Sequence, residues 1–108
     1  MKRIDIGIDF SRTPLGRYHP KDGPNTGERF RQELLVPALK EHAKVIVRID
    51  QVEGYGSSFL EEAFGGLVRK EGFSSSELKT KLEIECLNPD YSFYKSAIWR
   101  HIDRAKKA

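Results

Sequence analysis

A chain of 108 residues supports one domain with a modest core and little room for a second. Hydrophobic residues at 38%, charged residues at 32% and a formal net charge of +3 describe a soluble folded domain, which excludes a disordered chain and leaves a nucleic-acid partner undemanded. No stretch approaches the roughly 20 apolar residues that span a bilayer. One cysteine, Cys86, allows no internal disulfide, and the absence of an apolar leader at the N-terminus leads to the expectation of a cytoplasmic protein. Basic residues gather late, in Arg100, Arg104, Lys106 and Lys107, while acidic residues are spread through the rest.

Ile4, Ile6, Ile8 and Phe10 alternate with Arg3, Asp5, Gly7 and Asp9, which predicts a first strand with one buried and one wet face. From Ser11 to Gly27 no long period appears, and a structureless connection of that length is unusual in so small a domain. A short strand over Gly16-Arg17-Tyr18-His19, returning beside the first and followed by a turn at Pro20-Lys21-Asp22-Gly23, is therefore expected. Thr26 caps a helix running to about His42, with Phe30, Leu34, Leu35 and Ala38 as its apolar stripe. Pro37 lies inside that helix, where its missing donor predicts a kink or a fresh turn. Val45, Val47 and Ile49 then face inward from a central strand.

The stretch Gly54-Tyr55-Gly56-Ser57-Ser58-Phe59-Leu60 reads as a tight loop giving way to a second helix. Ser58 and Glu61 fit a capping box, Arg69 and Lys70 suit the negative helix end, and Gly72 suits the left-handed residue that closes it. Gly65-Gly66 costs about 1 kcal/mol of helix propensity at each position, which predicts close backbone packing there. Ser74 and Glu77 form another capping box before a short helix, and Leu82, Ile84 and Cys86 alternate with Glu83 and Glu85 as a strand. After Asn88-Pro89 a last helix places Tyr94, Ile98, Ile102 and Ala105 on one side and Trp99 off that stripe.

Because the clear strands all alternate, helices should cover one face of the sheet and leave Arg3, Asp5, Asp9, Arg48, Asp50, Glu83 and Glu85 on the other. The unit of central strand, second helix and following strand implies a parallel pair. The expected fold is α/β: one two-layer domain over residues 1–108, a mixed four-stranded sheet with helices packed mainly on one face.

Unpaired N–H groups and the positive end of the dipole at the start of the second helix stabilise an anion by roughly 0.3–1 kcal/mol. Gly54, Gly56, Ser57 and Ser58 are therefore the candidate anion-binding or modification site. The dinucleotide glycine pattern is incomplete because position 59 is Phe, and no Walker lysine follows. The Gly-x-Ser-x-Gly order of a hydrolase elbow is incomplete too, and His19, His42 and His101 lack metal-ligand spacing. No catalytic residue, metal or cofactor is expected, and Cys86 reads as a small core residue. The simplest role for the two serines is to satisfy helix N–H groups.

Gly16-Arg17-Tyr18, Asp22-Gly23-Pro24, Gly27-Glu28-Arg29-Phe30-Arg31 and Gly54-Tyr55-Gly56-Ser57-Ser58-Phe59-Leu60 together resemble a bacterial and phage-borne STAS-like family of no assigned function. That family is related in fold to the STAS domains of anti-sigma-factor antagonists, and the resemblance covers about residues 4 to 105. In those antagonists a serine at the corresponding helix start is phosphorylated by a kinase that is also the binding partner; carried over, it is Ser57, with Ser58 beside it. The aspartate that usually precedes it is Gly56 here, and the glycine after the pair is Phe59. The resemblance implies a non-catalytic regulatory module that switches partners through a phosphoserine. Its partner would be another protein, a kinase-like ATPase or regulator, contacted by Tyr55, Phe59, Arg17 and Tyr18 beside the serines. The alternative is an anion- or nucleotide-binding domain using the same Gly-Tyr-Gly-Ser-Ser turn, and nucleic-acid binding through the last helix ranks behind both. An unpaired edge strand permits a homodimer without requiring one.

Overall fold

Strands β1 (Lys2–Asp5), β2 (Val45–Arg48) and β3 (Leu82–Glu85) form one parallel sheet in that order in the computed structural model, which describes residues 1–106. Lys107, one of the late basic residues, lies outside that range. The register sets Arg3, Ile46 and Glu83 in one row and Asp5, Arg48 and Glu85 in the next. Successive side chains alternate between faces, so Ile4, Val45, Val47, Leu82 and Ile84 fall on the opposite face, and all of them belong to the core. Helices α1 (residues 27–41), α2 (57–69), α3 (Ser75–Lys81) and α4 (Ser92–Arg104) follow and separate the strands. A parallel sheet is ordinarily covered on both faces; here one face stays open. Arg3 pairs with Glu85 across it at 2.7 Å, and Arg48 pairs with Asp50 at 3.0 Å.

The sheet has three strands and is wholly parallel, not four and mixed. Gly16-Arg17-Tyr18-His19 forms no strand because Gly16 takes φ +88°, and the backbone N–H groups of Arg17 and Tyr18 both donate to the Asp22 carboxylate. The loop is instead tied to the start of α1, where Gly27 and Glu28 donate to the carbonyls of Gly16 and Arg17. The first strand is also shorter than its alternation predicts. Asp5 accepts from the N–H of Ile8 and Asp9 accepts from the N–H of Asp5, so residues Ile6–Phe10 wind into a wide turn pressed against Gln51 at Gly7. Ile8 is consequently 73% exposed, while Phe10 folds back onto Phe30 at 5.2 Å between ring centroids. The Asp9 carboxylate occupies an outward N–H of the edge strand, a recognised way of blunting an open edge.

Helices α1 and α2 each contain a wide, π-type turn at mid-length, over Arg31–Leu35 and Glu61–Gly65. In α1 this turn ends two residues before Pro37. A proline cannot donate and crowds the carbonyl four residues back, and the extra residue in the wide turn absorbs both defects, so the helix continues to Glu41. Ser74 and Glu77 make their reciprocal capping box at the start of α3. Phe30, Phe59 and Phe64 lock α1 against α2 with no exposed surface, each burial contributing about 1.5–3 kcal/mol. α4 packs across the wide turn of α2 through Ile98 and Ile102, completing the helical layer behind the serine turn.

Candidate functional site

The chain leaves β2, makes a turn over residues 49–56 and enters α2 at Ser57. Tyr55 fixes this turn from within: its hydroxyl donates to the Ile49 carbonyl at 2.6 Å, its ring lies parallel to Phe59 at 6.0 Å and meets the edge of Tyr94 at 5.0 Å. Burial, then the nearby charge of Asp5, pushes the Tyr55 phenol well above the usual tyrosine range, so it remains a neutral donor. Tyr91 adds a second strut, donating to the Val52 carbonyl at 2.6 Å. A rigid aromatic base therefore presents a small, polar, glycine-flanked tip.

At that tip the helix N-cap is Gly56, with no side-chain cap, and Ser57 and Ser58 are the first two helical residues. The Ser58–Glu61 capping box is not formed, because the cap sits two residues earlier and Glu61 is drawn away by two arginines. Both serines are exposed, and their hydroxyls have no hydrogen-bond partner among the described residues. The capping role expected of them is thus absent. Phe59, expected among the partner contacts, is completely buried between Tyr55 and Phe30, because a helix that starts at Ser57 turns its third residue to the core.

The early loop does come to the serine turn. A shallow hollow is lined by Arg17, Tyr18, Lys21, Asp22 and Ser58; Ser58, rather than Ser57, shares it with the basic side chains. Arg17 reaches across to α2, where its Nη1 donates to the Glu61 carboxylate and lies 3.4 Å from Glu62. Tyr18 is 39% exposed, and Lys70 sits over its ring at 4.9 Å.

Beneath this surface lies an ion network that the sequence reading missed. Arg31, on α1, and Glu62, on α2, are fully buried and meet at 2.8 Å; the same Nη1 also donates to the Glu62 carbonyl at 2.6 Å. Arg31 Nε pairs with Glu71 at 2.9 Å, Lys70 approaches Glu62 at 3.5 Å, and Arg69 bridges Glu61 at 2.6 Å and Glu62 at 3.2 Å. Gly66 leaves room for the guanidinium, since a β-carbon there would collide with Arg31 Nη1. Burial works to raise both glutamates. For Glu61 the hydrogen bonds of Arg69 and Arg17 outweigh it, and for Glu62 those of Arg31, so both carboxyls are held below the usual range.

Asp50, expected on the solvated face, instead ties the end of β2 to the loop after β3. Its carboxylate accepts from the N–H groups of Leu87 and Asn88 at 2.7 and 2.8 Å and from Arg48 at 3.0 Å. Cys86 lies just past β3, half-buried, with its thiol donating to the Asn88 carbonyl at 3.1 Å. Burial and the Asp50 charge raise that thiol's pKa, which disfavours the reactive thiolate. Among the described residues no group of three His, Cys, Asp or Glu side chains could hold a metal ion, and no helix is long and apolar enough to cross a membrane.

A family model described as a STAS-like domain of unknown function (DUF4325) matches residues 26–92, more than half of the chain. The match includes α1, the serine turn, α2 and β3, and it leaves β1 and the loop carrying Arg17 outside. No curated protein and no solved structure matches the chain.

Proposed function

Because the chain belongs to this STAS-like family, we propose that it is a non-catalytic regulatory module that binds another protein through the serine turn and the outer stripe of α2. Phosphorylation of Ser57 would control that binding. The observation that carries the reading is the contrast between an over-anchored base and an unengaged tip: Tyr55 and Tyr91 brace the turn, while Ser57 and Ser58 stand exposed without hydrogen bonds to lose. A phosphate adds about −1.5 to −2 charges. At the first helical position it is accepted by the dipole and the free N–H groups, so modification changes the surface without unfolding the helix. A kinase-like ATPase that is also the partner fits such a switch, since one protein would then both read and write the serine.

The test is a pull-down from the native host with wild type, Ser57→Ala and Ser57→Asp, with mass spectrometry of the partners and of the serine turn. Loss of one partner with Ser57→Asp alone, together with phosphate on wild-type Ser57, supports the switch. Identical partners for all three and an unmodified serine overturn it. A second reading, an anion- or nucleotide-binding domain, is favoured by Arg17 and Lys21 beside Ser58 in one hollow. It requires a melting temperature that rises with added phosphate or nucleotide.

A further inference from the structure

Charge is divided between the two layers. The open sheet face and its end carry Asp5, Asp50, Glu83 and Glu85, of which Asp50, Glu83 and Glu85 pair with Arg48, Lys44 and Arg3. The helical layer carries exposed arginines. On α4, Phe93, Ala97, Arg100 and Arg104 recur at helical spacing and so share one stripe. Phe93 is 61% exposed, and Arg100 and Arg104 are exposed and make no ion pair among the described residues. Neighbouring α2 adds Arg69, and the early loop adds Arg17. The carboxylate between them, Glu61, is already taken by both arginines. His101, on the flank of α4 toward α2, records the local field. Burial first, and then Arg100, Arg104 and Arg17, disfavour its protonation, and the opposing pull of Glu61 does not reverse this.

From this we infer that the partner of the serine turn offers a carboxylate-rich surface to the α2–α4 face, with Arg100 and Arg104 pairing to it and Phe93 entering an apolar recess. The inference rests on the reading of the serine turn as a protein-binding site, and it names the chemistry of that partner. Exposed phenylalanine and arginine on one stripe are residue types that interface cores favour. Unpaired arginines on the rim give complementarity and association rate. A nucleic acid is the less favoured polyanion, because the stripe is short and Asp103, held by Lys79 at 3.3 Å, interrupts it. The acidic partner also gives the switch its sign: a phosphate on Ser57, at the start of α2, would add like charge on the approach of that partner.

The experiment uses fluorescein-labelled decaglutamate as probe, with an oligothymidylate of ten nucleotides and a decalysine as comparisons, on the full chain at low salt. Decaglutamate is expected to bind wild type, to be released by added salt, and to bind the double variant Arg100→Glu/Arg104→Glu at least about tenfold more weakly. Thermal melting keeps that result interpretable, since both arginines are exposed and the double variant should melt with wild type. No binding of decaglutamate, equal binding to the double variant, or tighter binding of the oligothymidylate overturns the inference. So does self-association of wild type in sedimentation that the double variant abolishes, because the acidic surface would then belong to a second copy. The host pull-down separates the two ideas. A partner lost with Ser57→Asp but kept by the arginine double variant leaves the serine reading intact and overturns the acidic partner. A decaglutamate site lost in the double variant beside partners indifferent to Ser57→Asp does the reverse.

Discussion

Replacing Glu62 by Gln tests whether the buried ion network holds α1 to α2. The substitution keeps the shape and removes the charge. Arg31 would retain Glu71 at 2.9 Å and the Glu62 carbonyl at 2.6 Å but lose its carboxylate at 2.8 Å, while Arg69 and Lys70 lose a counter-charge at 3.2 and 3.5 Å. Arg31 Nη2 has no partner among the described residues even before the change, so the partly exposed pair with Glu71 and one carbonyl are what remain to offset the guanidinium's desolvation. Breaking a buried pair by removing one member costs about 3–5 kcal/mol, against a total stability of about 5–15 kcal/mol for a domain. For a chain of this length the melting temperature should fall on the order of 15–25 °C. Urea unfolding followed by circular dichroism measures the loss directly. The companion variant Arg31→Met/Glu62→Leu removes both charges and should recover most of it, because an apolar pair avoids the desolvation penalty. A loss below about 1 kcal/mol for Glu62→Gln, the size of an exposed pair, would show that water reaches the network and would refute the argument.

Gly66→Ala should destabilise by about 1–3 kcal/mol, since overpacking against Arg31 outweighs the gain of about 1 kcal/mol in helix propensity; thermal melting reads the sign. Gly56→Ser should instead stabilise by about 0.3 kcal/mol, because nothing lies within 4 Å of the added side chain and serine supplies the missing N-cap acceptor. Stability should fall on acidification with no compensating rise. Asp50, Glu61 and Glu62 sit below their ordinary values of 3.8, 4.5 and 4.5, so the unfolded chain binds protons first; their contribution is complete above those values and is lost as pH falls through the lowered ones. His101 sits below its ordinary 6.5 and acts in the same direction, so the decline begins near that value; a melting series from about pH 8 to 3 would be contradicted by a maximum on the acid side.

The parts of the fold that the sequence foretold are those written in local chemistry. Thr26 caps α1 through the Arg29 N–H at 3.3 Å, Ser74 and Glu77 close their box, and Val45 and Val47 face inward from β2 with Ile49 joining the core just past it. The failures occur where a distant contact overrides a local period. Ile4, Ile6, Ile8 and Phe10 alternate faultlessly, yet two aspartate side chains seize the backbone at Asp5 and Ile8 and turn the last two outward and back. The Gly16-Arg17-Tyr18-His19 strand is expected only from the length of the connection, and the N–H groups of Arg17 and Tyr18 are claimed by Asp22, five and four residues ahead. Such competition by a short acceptor is visible only when the turn is considered together with its flanks.

The hidden network has the same origin, and a sequence signal for it exists. A wide turn adds one residue to a helix, so the apolar stripe before it and the stripe after it differ in phase. In α1 the core takes the expected Phe30, Leu35 and Ala38 and adds Val36 and Leu39, while the expected Leu34 is only half-buried. Arg31 opens the wide turn of α1, and Glu62 is the second residue of the wide turn of α2, so both members of the buried pair lie where the helices depart from regular spacing. Glu62 precedes Ala63 and Phe64 and stands four residues before Gly66, while Arg31 follows Phe30 on the preceding helix. A charge next to a core residue, with glycine one turn on and an opposite charge likewise next to a core residue in the neighbouring helix, is the signal for this buried pair. The same network reaches the surface through Arg17 and Arg69 on Glu61. What clamps the two helices inside therefore also sets the charge around the serines outside.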